Sequence, residues 1–302
     1  LMISKIALSK NLKLSRIVHG HWRLAEWNLS SKELLKLVQQ ITELGITTFD
    51  HADIYGNYTC EKIFGDALLL APDLRKDIQI ITKCGIKLIS DKYPDRKHKY
   101  YDHSYENIVS TVEQSLKNFN TDYIDLLLLH RPSPIFNPED VAKAFSHLKR
   151  SGKVLEFGVS NFNPQQFEML DSYVDPNLVT NQIEISPLCL DHFENGNIDY
   201  SLQKRLKPMA WSPLAGGEIL HPKSEKAIRV YNCLSEVSKE LNINSIDKII
   251  YSWLLLHPAL IIPVVGSSKI ERLQKAVEAL KIEMSTEQWL RIYSASTGKE
   301  LP

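Results

Sequence analysis

Cysteine is scarce. The 302 residues hold four, Cys60, Cys84, Cys189 and Cys233, and no two form a CxxC pair. That excludes a secreted disulfide scaffold and leads us to expect a reduced, cytoplasmic protein. Surplus charge is missing too, because 36 Lys and Arg balance 36 Asp and Glu. Neither nucleic acid nor an anionic membrane surface is therefore expected as a partner. Long apolar runs are absent. The stretch Ile124 to Leu129 is already broken by Asp125, whereas a membrane span needs about 20 apolar residues. The opening LMISKIALSKNLKLS is interrupted by Lys and Ser and does not read as a signal peptide. No G-x-G-x-x-G occurs, so a Rossmann dinucleotide site is not indicated. No Ser/Gly-rich linker, low-complexity tract or internal repeat interrupts the chain, and one domain over residues 1–302 is expected.

What is present is alternation. Short β-branched runs at Ile17–His19, Ile46–Phe49, Ile78–Thr82, Tyr123–Leu129, Val154–Val159, Val179–Glu184, Pro208–Trp211 and Leu260–Val264 read as strands. Amphipathic stretches at Ser31–Leu44, Cys60–Leu70, Ser104–Phe119, Pro138–Ser151, Pro164–Ser172, Tyr200–Leu206, Ser245–Leu256 and Ile270–Leu280 read as helices. Strands alternating with helices mean parallel βαβ units. Eight of them predict an α/β fold of the (β/α)8 TIM-barrel type. Gly45 and Gly152 stand just past helix ends, where a left-handed residue is favoured. The segment Ile3–Leu14 alternates around Ser9-Lys10-Asn11 and predicts an N-terminal β-hairpin closing the bottom of the barrel. Gly85–His103 and Ser212–Lys223 are longer excursions after strands, on the face where barrel enzymes keep their sites.

Barrel logic directs attention to the residues after each strand. These are Gly20-His21-Trp22, Asp50-His51, Lys83, His130, Ser160-Asn161, Glu184, Trp211-Ser212 and Gly266-Ser267. An Asp, a Lys and a His from three strands would meet at one mouth, with Tyr55 five residues beyond Asp50. His19-Gly20-His21 is a His-x-His with which a metal-dependent hydrolase site could begin. Such a site needs His and Asp from later strands, and the ends there offer Ser160-Asn161, Glu184 and Gly266, so no metal is expected.

Several segments carry a resemblance. FDHADIYGNYTCEKIFGDAL, TKCG, LLLLHRP, GVSNF, NQIEISP and AWSPLAGG, in this order, are similar to segments of the aldo-keto reductase family, over nearly the whole chain. The resemblance implies a barrel enzyme reducing aldehydes or ketones to alcohols with NADPH. It assigns Asp50, Tyr55, Lys83 and His130 to catalysis. The chemistry is coherent: Tyr55 gives a proton to the carbonyl oxygen, and a nearby ammonium, Lys83, lowers the phenol's pKa. Asp50 holds Lys83 charged, and His130 orients the substrate oxygen.

The same resemblance implies that Ser160, Asn161 and Gln182 hold the nicotinamide carboxamide and that Trp211 stacks on the ring. Gly20, His21, Trp22 and Asp50 would lie beside it, and Ser212, Pro213, Leu214, Gly216 and Gly217 would wrap the pyrophosphate. Gly266, Ser267, Ser268 and Lys269 open a helix whose free N–H groups favour an anion. Lys269 and Arg272 would clamp a 2′-phosphate, which favours NADPH over NADH. A module that binds NADPH to sense redox state, as channel β subunits do, is the alternative that the resemblance leaves. Specificity is expected from loops 85–103, 132–137 and 191–197 and the tail after Ser285, with Trp22, Trp27, Tyr58, Tyr93, Tyr100 and Tyr101 as aromatic lining.

Overall fold

A computed structural model describes residues 3–175 and 177–302. Eight parallel strands, numbered β1 to β8 in chain order, are Val18–Gly20, Thr48–Asp50, Gln79–Cys84, Ile124–Leu129, Val154–Ser160, Asn181–Glu184, Met209–Trp211 and Ile262–Val265. They form a closed barrel in the order β6-β7-β8-β1-β2-β3-β4-β5. All eight expected strands are found, displaced by a residue or two at their ends. The chain also divides into two compact units, one running to Asn181 with Gly266–Ile270, the other Gln182–Val265 with Glu271–Pro302.

In the first unit the registers follow from apolar strands buried on both faces. Asp50 pairs with Ile81, and Lys83 with Leu128. Every residue of β4, IDLLLL, is buried. Asp125 survives there because Arg75 Nη2 and the Ile80 N–H both donate to its carboxylate, at 2.8 and 2.9 Å. The helix Cys60–Leu68 presses so closely on Tyr105–Phe119 that a Cβ on Gly65 would lie 1.9 Å from the Asn118 carbonyl oxygen. The expected hairpin pairs Lys5–Ala7 with Lys13–Ser15. It attaches to the barrel by Leu14, fully buried, and by Ser9 Oγ donating to Glu156 Oε1 at 2.8 Å. Gly45 and Gly152 have φ of +88° and +71°, as expected of residues that close helices.

The second unit is built on Ile183, Ile185, Ile250, Trp253 and Leu254 with their neighbours. The indoles of Trp253 and Trp289 stack at 4.8 Å, and each donates its N–H to the other's carbonyl. Two helices here, Glu225–Glu240 and Thr286–Thr297, were not expected from the sequence. No helix of the described residues is long and apolar enough to cross a membrane.

Candidate active site

Three strand ends of the first unit bring four side chains together. Asp50 closes β2, Lys83 is the penultimate residue of β3, and His130 follows β4. Tyr55 begins a tight turn, Tyr55–Tyr58, after β2. Lys83 Nζ donates to both Asp50 carboxylate oxygens at 2.8 Å, to the His51 carbonyl at 2.8 Å and to the Tyr55 hydroxyl at 3.2 Å. The ammonium thereby reaches three kinds of oxygen while 1% exposed. A buried charge is tolerable only when paired and hydrogen-bonded in this way. The His130 ring meets the Tyr55 ring edge-on, with centroids 5.9 Å apart. Asn161, in left-handed backbone at φ +62°, donates Nδ2 to the His130 carbonyl at 3.2 Å and to Ser160 Oγ at 2.9 Å.

The electrostatics refine one expectation. Burial dominates at Tyr55 and holds the phenol above its ordinary value, while Lys83 is the strongest influence pulling it back. The net lowering expected from Lys83 is therefore absent. A low-dielectric surround disfavours phenolate more than one ammonium, already shared with Asp50, can compensate. At Lys83 burial pulls downward, but Asp50 and then Tyr55 outweigh it, and the ammonium is held above its ordinary value. His130 is pushed well below its ordinary value by burial, then by Lys83, Arg131 and Lys99. It is neutral at neutral pH and keeps one N–H to donate.

The residues that the resemblance assigns to a cofactor fall in both units. In the first, Gly20 is buried at the end of β1 and Trp22 is 61% exposed. His21 is fully buried, its Nδ1 3.0 Å from His51 Nε2 and its ring stacked against His51 and Phe49. This imidazole is packed among aromatic rings. His19 Nε2 donates to the Ser267 carbonyl at 2.8 Å, and Ser267 Oγ accepts from the Lys269 N–H at 3.1 Å. The segment Gly266–Lys269 is thus tied to β1, just ahead of the helix Ile270–Glu278. Ser160 is buried, and Ser268 is half-buried.

In the second unit Gln182 is buried in β6, with its Nε2 3.8 Å from Met209 Sδ. Trp211 ends β7 and is partly accessible. Beyond it Ser212, Ala215, Gly216 and Gly217 all have positive φ, and Pro213 and Leu214 lie between. A Cβ on Gly216 or Gly217 would meet nothing within 4 Å. Arg272 is exposed and has no ion pair among the described residues.

Sequence reasoning overlooked Glu61. It is 2% exposed and accepts from Thr82 Oγ1, Ser115 Oγ and Asn118 Nδ2 at 2.6, 2.8 and 3.0 Å. The signal was its place on the apolar stripe with Phe64 and Leu68. Two expected pocket aromatics have other duties: Trp27 stacks on His19 at 5.7 Å, and the Tyr58 hydroxyl accepts from Leu88 N–H. No group of three or more His, Cys, Asp or Glu positioned to hold a metal occurs among the described residues.

Residues 16–297 match the Aldo/keto reductase family. The chain is 43% identical to the oxidoreductase YdhF of Escherichia coli, covering all of both chains. It is 42% identical to a 6-dehydroglucose reductase of Agrobacterium fabrum, over 99% of this chain and 100% of that one. The crystal structure of a thermostable aldo-keto reductase superposes with a TM-score of 0.81 at 23% identity, covering 97% of this chain and 100% of the other. With the barrel, the four strand-end residues and this full-length similarity in hand, the chain belongs to the aldo/keto reductase family of oxidoreductases.

Proposed function

We propose that this protein reduces aldehydes or ketones to alcohols with NADPH, using Tyr55 as the proton donor, in a single domain acting in the cytoplasm. The observation that carries this reading is the Lys83 ammonium, which bonds both Asp50 oxygens and the Tyr55 hydroxyl at once. Bound NADPH supplies the hydride. The chain's own residues do the rest. Tyr55, kept protonated by burial, gives its proton to the carbonyl oxygen, and Lys83 stabilises the phenolate left behind. Asp50 keeps Lys83 charged and aimed. Neutral His130 donates to the same oxygen and fixes its approach.

Several features support NADPH as the cofactor. Gly216 and Gly217 leave backbone open to a pyrophosphate, and Gly266–Lys269 precede a helix N-terminus. Lys269 and Arg272 are exposed cations in the same stretch of chain and fit a 2′-phosphate. Ser160, Asn161, Gln182 and Trp211 are the residues proposed to hold the nicotinamide. Free cysteines throughout accord with a reducing compartment.

The test is NADPH consumption over a panel of aldehydes and ketones that includes aromatic aldehydes and 6-dehydroglucose. Tyr55→Phe should lower kcat by a factor of about 100 or more, the range for a lost general acid. NADPH binding, followed by quenching of protein fluorescence, should stay at the wild-type level. Near-normal reduction by the Phe variant removes Tyr55 from the mechanism. Wild-type NADPH binding with no turnover on any carbonyl would favour a sensing module.

A further inference from the structure

The proposed proton donor stands on unusual backbone. After Tyr55 come three residues in the left-handed region, Gly56, Asn57 and Tyr58, with φ of +58°, +53° and +64°. Asparagine tolerates that region. A tyrosine there is an outlier that persists only where its surroundings hold it.

The surroundings that hold Tyr58 come from the loop after β3. Its hydroxyl accepts from the Leu88 N–H at 2.9 Å and from Arg96 Nη1 at 2.9 Å. Its carbonyl accepts from Lys92 Nζ at 3.1 Å. Arg96 lies over the Tyr93 ring at 3.6 Å, and the rings of Tyr93 and Tyr58 meet edge-on at 5.0 Å. From Asp91 to Tyr100 every residue is exposed except Arg96. Arg96, the one sheltered cation of this stretch, thus bonds Tyr58.

The turn has little slack to absorb movement between Tyr58 and Tyr55. Tyr55 N–H donates to the Ala52 carbonyl, Tyr58 N–H to Ile54 and Thr59 N–H to Tyr55, at 3.1, 3.3 and 3.1 Å. Gly56 is hemmed in as well, since a Cβ there would lie 2.6 Å from Cys60 Sγ and 2.8 Å from the Ala25 methyl. A shift of the Tyr58 side chain is therefore passed to the phenol three residues earlier, which must stay within reach of Lys83.

We infer that Tyr58 and Arg96 form a clamp by which the 88–96 loop positions the Tyr55 hydroxyl against Lys83. This rests on the reading of Tyr55 as proton donor. Tyr58 touches neither the reacting atoms nor Lys83, so it is a positioning residue. Its loss should be felt in the proton-transfer step and not in cofactor binding.

Tyr58→Phe keeps the ring and removes the hydroxyl that receives Leu88 and Arg96. Measured beside wild type and Tyr55→Phe, it should lower kcat about ten- to hundredfold, the cost of a small misplacement of a reacting group. NADPH affinity should be unchanged. With Tyr55 as the donor, the reverse reaction, alcohol oxidation, uses its phenolate, and the pH profile of that reaction should shift upward, because a phenol farther from Lys83 ionises less readily. Arg96→Gln should act in the same direction. In kcat the double variant should add little to Tyr58→Phe alone, because the two residues share the hydroxyl–guanidinium contact.

A Tyr58→Phe enzyme with wild-type kcat and pH profile overturns the clamp. So does a loss of kcat matched by an equal loss of NADPH binding, which marks a merely structural residue. If Tyr58→Phe does not fold, Arg96→Gln decides by the same two readouts. If Tyr55→Phe is inactive while Tyr58→Phe is indifferent, only the clamp falls. If Tyr55→Phe retains activity, the donor reading falls and takes the clamp with it.

Discussion

The strand-end cluster of Asp50, Tyr55, Lys83 and His130 and the segments proposed for phosphate are built by opposite means. In the cluster the lysine is saturated with protein partners: two carboxylate oxygens, a carbonyl and a phenol within 3.2 Å. Ser212, Ala215, Gly216 and Gly217 have positive φ, a Cβ on Gly216 or Gly217 would meet nothing within 4 Å, and Lys269 and Arg272 are exposed. In the cluster the charge is met by protein groups, whereas Lys269 and Arg272 carry exposed charge. The contrast follows from burial. A charge 1% exposed needs its partners inside the fold, whereas an exposed cation keeps water until an anion replaces it.

The largest effect should come from breaking the cluster. Asp50→Ala leaves the Lys83 ammonium buried without its carboxylate. Removing one partner of a buried pair costs about 3–5 kcal/mol, so urea unfolding should show a loss of that order together with loss of activity. A change below about 1 kcal/mol would mean the pair is solvated like a surface ion pair. At the exposed cations the cost should fall on binding alone. Arg272→Ala should leave unfolding unchanged and weaken NADPH more than NADH, by about 1.5–3 kcal/mol for one charge-assisted contact. Equal losses for both cofactors would make Arg272 structural.

A subtler effect concerns the histidines beneath the cluster. Burial lowers His19 to about 4 and holds His21 and His51 well below their ordinary values. Each is neutral in the fold and gains a proton on unfolding. The unfolded chain therefore binds more protons between pH 4 and 6.5, and stability from His19, full above 6.5, is lost as pH falls toward 4. Asp53 and Glu61, raised chiefly by burial, act in the opposite sense. The informative quantity is thus the difference between wild type and His19→Gln, whose Tm should fall less steeply on acidification. Identical slopes would show that His19 does not carry the linkage. The smallest expected effect is none: exhaustive chelation should leave NADPH-dependent reduction intact. Loss on chelation with recovery on adding zinc would send attention back to His19 and His21.

Much of this was legible in the sequence because strand ends are punctuated. Asp50, Lys83 and His130 each close an apolar run, and that break in pattern placed them on one face before any geometry was known. The helices Glu225–Glu240 and Thr286–Thr297 were missed for an opposite reason. The first does repeat apolar residues at Ala227, Val230, Leu234 and Val237, but charges between them dilute the stripe. The second buries only Ile292 and Ser296. The stacking of His21 with Phe49 and His51 was not legible, because a residue just after a strand can turn either way. The balance at Tyr55 was also beyond the sequence. A lysine within reach was readable, but not that burial would outweigh it.

The central claim is that Tyr55 donates the proton and that Lys83, held by Asp50, makes this possible. Single-turnover reduction of an aldehyde by enzyme preloaded with NADPH tests it most directly, because binding and product release drop out. Tyr55→Phe should bind NADPH as wild type does and carry out that turnover at least about a hundredfold more slowly. A Phe variant that completes the turnover at the wild-type rate would contradict the account.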